Sequence, residues 1–139
     1  MISHSVLTFD FGLRHTGVAI GQAITGTARG VMTLKCNDGQ PQWHEIRALV
    51  ETYAPTSLVV GLPLHMDGEE SEMSSRVRAF AEELTRRYAM PVALQDERLT
   101  SAEAQKGLQE AGLYGQANTD HELAACIIAQ DWLAKQTDA

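Results

Sequence analysis

Three carboxylic acids stand where acids are costly, and they raise the first question about this chain. Asp10 closes the alternating run Ser5-Val-Leu-Thr-Phe-Asp-Phe11, in which Leu7, Phe9 and Phe11 share one face of a strand and Val6, Thr8 and Asp10 the other. An acid there lowers strand propensity and, where half-buried, costs desolvation energy. Gly12 and Gly17 follow it, and glycines let a backbone come close to a phosphate or a metal. Asp10 reads as a metal ligand or as an exposed acid at a strand end. Asp96-Glu97-Arg98-Leu99-Thr100-Ser101 follows an apolar run and leads into a helical pattern, which places it at the carboxyl edge of a parallel sheet, where ligands bind. Glu97 is a ligand there or an acid favoured by a helix N-terminus. Asp120 opens the last helical pattern and at steps of four shares a stripe with Ala124 and Ile128, so it is predicted to face the sheet; the other reading is an acid competing with Thr119 for the cap. Asp131 is about 16 Å further along the axis and cannot join that cluster.

Acids from three distant segments that meet at one edge repel unless cations lie among them, and hard oxygen donors suit Mg²⁺ or Mn²⁺. The chemistry that follows is phosphodiester hydrolysis, with one ion lowering the pKa of an attacking water and another stabilising the leaving oxygen. Gly12, Arg14, Arg98 and Thr100 lie beside the acids and are the candidate substrate contacts; the two arginines meet phosphate or simply neutralise the acids. The segment Gly61-Leu-Pro-Leu-His-Met-Asp-Gly68 leaves a strand at the same edge, as a cover for substrate or as a plain connection. His4, His15, His44, His65 and His121 show no metal-ligand spacing and read as surface residues.

The elements that must position these groups are legible in outline. After the first strand, β-rich segments at about 16–23 and 27–34 flank Thr25-Gly26, a turn signal, so the first three strands form an antiparallel meander. Trp43, Ile46, Leu49, Val50 and Tyr53 recur at helical spacing before Pro55. Leu58-Val59-Val60-Gly61 is a short, wholly apolar run of the kind covered on both faces. Met73, Val77, Phe80, Leu84 and Tyr88 mark a second helix that ends before Pro91, and Val92-Ala93-Leu94 a fifth strand. Thr100-Ser-Ala-Glu103 has capping-box spacing for a helix that stops at Gly112. Thr119-Asp-His-Glu122 repeats it for a last helix with Leu123, Ala124, Ile127, Ile128 and Trp132 as its buried stripe. The order β-β-β-α-β-α-β-α-α predicts a three-layer α/β domain over residues 1–139, with a five-stranded mixed sheet and helices on both faces. It is the order of the ribonuclease-H-like fold, which by itself assigns no function.

The 139 residues carry 11 Lys+Arg and 18 Asp+Glu, a formal charge of −7. Such a balance argues against nonspecific attachment to phosphate backbones, which Lys and Arg drive by releasing counterions, but a nuclease can keep an acidic site and confine its bases to the rim. The 44% hydrophobic content supports a core without staples, and the longest unbroken apolar run is far below the ~20 residues of a bilayer span. Cys36 and Cys126 form no Cys-x-x-Cys pair, which suits a reducing compartment. With no basic stretch leading an apolar one at the start, the expectation is a cytoplasmic protein that does not engage membranes.

Asp10-Phe-Gly-Leu-Arg-His-Thr-Gly-Val-Ala-Ile-Gly21, Val60-Gly-Leu-Pro-Leu-His-Met-Asp-Gly68 and Asp96-Glu-Arg-Leu-Thr-Ser101, in this order and followed by an acid-led helix, closely resemble the YqgF (RuvX) family over nearly the whole chain. The resemblance implies a ribonuclease-H-like nuclease, described as a Holliday-junction resolvase and as the enzyme that matures the 5′ end of pre-16S ribosomal RNA. By matching positions it implies catalytic acids at Asp10, Glu97 and Asp120. The chain departs from the family where bases often precede the last helix: Tyr114-Gly-Gln-Ala-Asn118 has none. His65 stands where Asn is usual, and His121-Glu122 where a small residue is more familiar. The fourth strand lacks the carboxylate that many ribonuclease-H relatives use, so Glu97 must substitute for it.

The expected function is therefore a Mg²⁺- or Mn²⁺-dependent endonuclease acting on structured ribosomal precursor RNA. Resolution of branched, four-way DNA needs two active sites and so favours a symmetric dimer. A noncatalytic RNA-binding assembly factor would keep the fold without metal dependence. A phosphotransferase of the actin-like or sugar-kinase kind needs two such domains around a nucleotide, and this chain has length for one.

Overall fold

The computed structural model describes residues 4–97 and 119–137. Three antiparallel strands come first: β1 (Ser5–Asp10), β2 (His15–Gln22) and β3 (Thr27–Asn37). The β2–β3 turn uses Gly26 at φ 67°, a left-handed conformation that glycine adopts without a Cβ penalty. A two-residue strand β4 (Gln40–Pro41) pairs with the end of β3. Helix α1 (Trp43–Tyr53) leads to β5 (Ser57–Leu62), and α2 (Glu72–Tyr88) to β6 (Val92–Asp96). Helix α3 (Asp120–Thr137) closes the described chain.

The sheet has six strands in the order β4-β3-β2-β1-β5-β6, with β5 and β6 parallel to β1. One strand more than expected is present, because a two-residue bridge carries no periodic signal. The predicted bounds of α1 hold, and both α1 and α2 end at an alanine in the left-handed region, Ala54 and Ala89, just before Pro55 and Pro91. The start of α2 is fixed by a capping box in which the Ser71 side chain accepts from the Ser74 backbone and the Ser74 hydroxyl from the Ser71 backbone. The helix expected from Thr100 to Gly112 lies outside the described residues.

Strand alternation divides the interior in two. Leu7, Phe9, Val18, Ile20, Leu34, Leu58, Val60 and Leu62 point to one face and pack with Ile46 of α1 and Val77, Phe80 and Leu84 of α2. On the other face Val6 and Val59 meet Ile128 and Leu133 of α3, while Ala19 and Ala28 meet Ala125, Cys126 and Ala129. The second layer is built from small side chains, so α3 approaches the sheet closely. At Gly21 an added Cβ would stand 3.1 Å from both Leu133 and Val6.

The sheet-facing stripe of α3 is consequently Glu122, Ala125, Cys126, Ala129 and Leu133, with Ile128 beside it. Of the stripe expected from Leu123, Ala124, Ile127, Ile128 and Trp132, Ile127 and Ile128 are fully buried and Trp132 packs at the edge of the core, while Leu123 and Ala124 are only half-buried. Ranking by side-chain size found part of the buried face and missed the small residues, since alanines and a cysteine form the close contact with the sheet. No described helix is long and apolar enough to cross a membrane.

Candidate active site

The acids converge on the α3 face of the sheet, at the edge where β1 and β6 end. Asp10 is the last residue of β1 and points to the same face as Val6 and Thr8. Glu97 directly follows β6 and lies on the side of Gln95, whose amide donates to Asp131 of α3 at 2.6 Å. Between them runs β5, and the residue beneath Glu97 is Gly61: a Cβ there would lie 2.8 Å from Glu97 Oε1 and 2.5 Å from Ile128 Cδ1. On the other side of Asp10 its antiparallel register partner is Gly17. A Cβ on Gly17 would fall 1.9 Å from the His121 carbonyl oxygen, so this glycine admits the backbone of α3. Asp10 thus sits between two strands that are bare at its level, one yielding to a carboxylate and the other to a helix terminus.

The Asp10 and Glu97 carboxyls are hydrogen-bonded to each other. Burial raises Asp10 above the usual carboxylate range, while the bond from Glu97 and the field of His121 pull it partway back. Glu97 is pushed up to about 7, first by burial, then by the Asp10 charge and the shared hydrogen bond, and last by Asp96. Like charges held this close cannot both ionise freely. Both groups are therefore raised, and toward neutrality the pair retains a proton that the two carboxyls share.

Asp120 behaves differently from expectation. It starts α3 above Gly17, but its side chain is exposed and does not face the sheet. The buried acid of that turn is Glu122, 3% exposed. Its carboxylate accepts from the Thr33 hydroxyl at 3.4 Å, and its backbone N–H donates to Thr119 Oγ1 at 3.0 Å. Thr119 Oγ1 and Thr33 Oγ1 are 2.7 Å apart, so Thr119 takes the cap and the whole turn is tied to β3. Among the described residues no three His, Cys, Asp or Glu side chains are close enough together to hold a metal ion. The structure brings Asp10 and Glu97 into contact and leaves Asp120 at the same edge but outside that contact.

The remaining candidates divide. Gly12 donates its N–H to Thr16 Oγ1 at 3.2 Å, and a Cβ on it would stand 2.2 Å from the His15 carbonyl oxygen, so it is required by the β1–β2 turn. Arg14 is exposed beside that turn. Arg98 and Thr100 lie outside the described residues. The 61–68 segment closes on itself through a Leu64–Glu70 bridge, a Gly68 N–H bond to the His65 carbonyl and Gly68 at φ 90°, and leaves Met66 87% exposed. His15 and His121 were read from the sequence as surface residues and are exposed, but the stacking of their rings, with centroids 5.0 Å apart, was not foreseen. Sequence reasoning passed over Glu122, for which the Thr119-to-Glu122 capping spacing was the available signal.

Comparison with known proteins is informative about lineage. The family described as RuvX, Holliday junction resolvase, matches residues 4–135. A protein of Actinobacillus pleuropneumoniae serotype 5b (strain L20), named "Putative pre-16S rRNA nuclease", is 42% identical over 97% of this chain and 100% of its own. One of the same name from Yersinia pestis (strain Pestoides F) is 42% identical over 98% and 99%. Among solved structures, T. thermophilus RuvC in complex with Holliday junction substrate superposes with a TM-score of 0.66 at 15% identity, over 96% of each chain. The fowlpox virus Holliday junction resolvase gives 0.56 at 11%, over 96% of this chain and 99% of that one. At these identities the structural likeness establishes the ribonuclease-H-like fold.

Proposed function

Because this chain belongs to the RuvX family, we propose that it is a divalent-metal-dependent endonuclease that hydrolyses phosphodiester bonds and trims the 5′ end of pre-16S ribosomal RNA. The observation that carries the reading is the Asp10–Glu97 contact: two half-buried carboxyls, hydrogen-bonded to each other, over a glycine that makes room for them. A protein gains nothing in stability by crowding two acids away from water. Two hard oxygen donors in contact suit Mg²⁺ or Mn²⁺, with Asp10 and Glu97 as the residues that would hold the ion and Asp120, exposed at the adjacent helix start, as the third acid that would have to turn toward it.

When bound, such an ion supplies a Lewis acid that activates water and stabilises the leaving oxygen. The chain's own groups do the rest. Asp10, the last residue of β1, provides a carboxylate oxygen anchored by the sheet. Glu97, pushed up to about 7 by burial and the Asp10 charge, would hold the ion as its carboxylate, so the protonated pair and the ion compete for the same oxygens. Gly17 lets the first turn of α3 reach the edge, and the Thr119–Thr33–Glu122 bonds hold that turn in place, which keeps Asp120 within reach of the substrate side.

Purified protein incubated with 5′-extended pre-16S RNA, and separately with a synthetic four-way DNA junction, tests this in Mg²⁺, Mn²⁺ or chelator. Cutting of the RNA that needs the ion and disappears in Asp10→Asn is expected. Cutting that survives Asp10→Asn or excess chelator overturns the site, and metal-dependent cutting of the junction alone moves the substrate to branched DNA.

A further inference from the structure

The charge inventory points to where a phosphate backbone would be gripped. Of the cations in the described residues, Arg47, Arg76, Arg78, Arg86, Arg87 and Lys135 each stand within 4 Å of a carboxylate oxygen. Arg29 lies over the ring of Tyr53. Arg14 and Lys35 enter no ion pair among the described residues, and both line one open groove of about 550 Å³ at the β2–β3 end of the sheet. In a chain of net charge −7, the two cations of the described residues that have neither an ion pair nor a ring partner share one hollow.

That hollow adjoins the acid pair. His15 is the register partner of Lys35, so the two side chains emerge on the same sheet face, the one that carries Asp10 and α3. The ring of His15 stacks on His121, and His121 is close enough to Asp10 to stabilise its charge. A continuous row therefore runs from Lys35 through His15 and His121 to Asp10. The groove is also built in advance: the Cys36 N–H donates to the Arg14 carbonyl at 2.7 Å and the Gly39 N–H to the Leu13 carbonyl at 2.9 Å, fastening the β1–β2 turn to the end of β3. The one acid in the wall, Asp38, faces Arg76 at 3.3 Å, which offsets its charge. Preformed walls lower the ordering cost of binding.

We propose that the Arg14–Lys35 groove binds the phosphodiester backbone of the substrate on the side of the scissile phosphate away from Glu97, with His15 as a further hydrogen-bond donor. The proposal rests on the nuclease reading of the neighbouring acids, and it accounts for how a chain with no base in Tyr114–Asn118, just ahead of its last helix, holds nucleic acid: the grip lies on the meander.

Binding without cutting separates the two ideas. Fluorescence anisotropy of the full-length chain in chelator, with a labelled 5′-extended RNA hairpin and with a labelled four-way DNA junction, is measured across salt concentrations. Lys35→Ala and Arg14→Ala are each expected to weaken RNA binding about five- to tenfold and to flatten the log–log salt dependence by roughly one unit, the signature of a lost phosphate contact. Lys35→Arg should restore it. Arg47→Ala and Arg86→Ala, on the opposite layer, should bind as the unmodified protein does, and circular dichroism checks that all variants are folded. An unchanged salt slope in both groove variants overturns the proposal, as does equal weakening in the two control variants or absence of binding to either probe by the unmodified protein. Lys35-dependent binding without metal-dependent cutting keeps the groove and rejects the nuclease; cutting that is indifferent to Lys35 and Arg14 does the reverse. A loss confined to the junction keeps the groove and makes branched DNA its occupant.

Discussion

Glu97 rests on the bare backbone of Gly61: a single methyl group at position 61 would stand 2.8 Å from its carboxyl oxygen and 2.5 Å from the Ile128 side chain. Two strands and a helix are thereby packed against each other around an atom that is missing. Gly61→Ala should push both neighbours away, costing about 1–3 kcal/mol by overpacking and lowering cutting by an order of magnitude or more as Glu97 leaves Asp10. Thermal melts alongside single-turnover cleavage check this; normal cutting in Gly61→Ala would show that the site tolerates a displaced Glu97.

The acid pair predicts an unusual dependence of stability on pH in the metal-free protein. Glu97 is raised from 4.5 to about 7 and Asp10 is raised in the same direction, so the native state binds more protons than the unfolded chain between about pH 4.5 and 7. Stability then falls as pH rises through that window and levels off above it, by on the order of 2 kcal/mol after allowance for solvent screening. Melting in chelator from pH 5 to pH 8 should show the fall, Glu97→Gln should flatten it, and millimolar Mg²⁺ should restore Tm at pH 8. A Tm in chelator that rises between pH 5 and 7, with no response to Glu97→Gln, would contradict the assignment.

Asp10 and Asp120 should separate in stability although both are needed for cutting. Removing the Asp10 charge relieves Glu97, so Asp10→Asn is expected to raise the Tm of the chelated protein at pH 8. Asp120 is exposed, and Asp120→Asn should change stability by less than about 0.5 kcal/mol. Each should reduce cutting by more than the ~10²-fold cost of losing one electrostatic stabiliser. Comparing melts and single-turnover rates of the two variants decides it; full activity in Asp120→Asn would leave the site as a two-carboxylate centre.

Glu122 is the acid whose loss should act through position alone. Its carboxylate accepts from Thr33 and its turn is capped by Thr119, so Glu122→Ala removes an acceptor and empties a buried site against the sheet, at a cost of about 1–3 kcal/mol. Glu122→Gln keeps the acceptor and should cost less. If the turn positions Asp120, the alanine variant also needs more Mg²⁺ for half-maximal cutting. Equal metal requirement in the unmodified protein and Glu122→Ala would confine Glu122 to folding.

Much of this molecule was readable before any coordinates. Alternation over Ser5–Asp10, the helical spacing from Trp43 to Tyr53 and the prolines at 55 and 91 determine strand and helix limits locally, through side-chain period and the backbone restrictions of proline. The glycine-flanked acid at Asp10 was visible for the same reason: it breaks a local rule. What needed the tertiary structure were the relations across the sheet. Helical period gives a direction about an axis, but not how far a helix end projects beyond the strands. That is why Asp120 is exposed where the stripe predicted it inward, and why Glu122 is buried instead. Small residues carry little hydrophobic signal, so the Ala19–Ala28–Ala125–Ala129 layer that brings α3 close was invisible to a ranking by size. The bond between Asp10 and Glu97, 87 positions apart in sequence, exists only because β5 lies between their strands and offers Gly61, a contact set by strand order and register that no local pattern encodes.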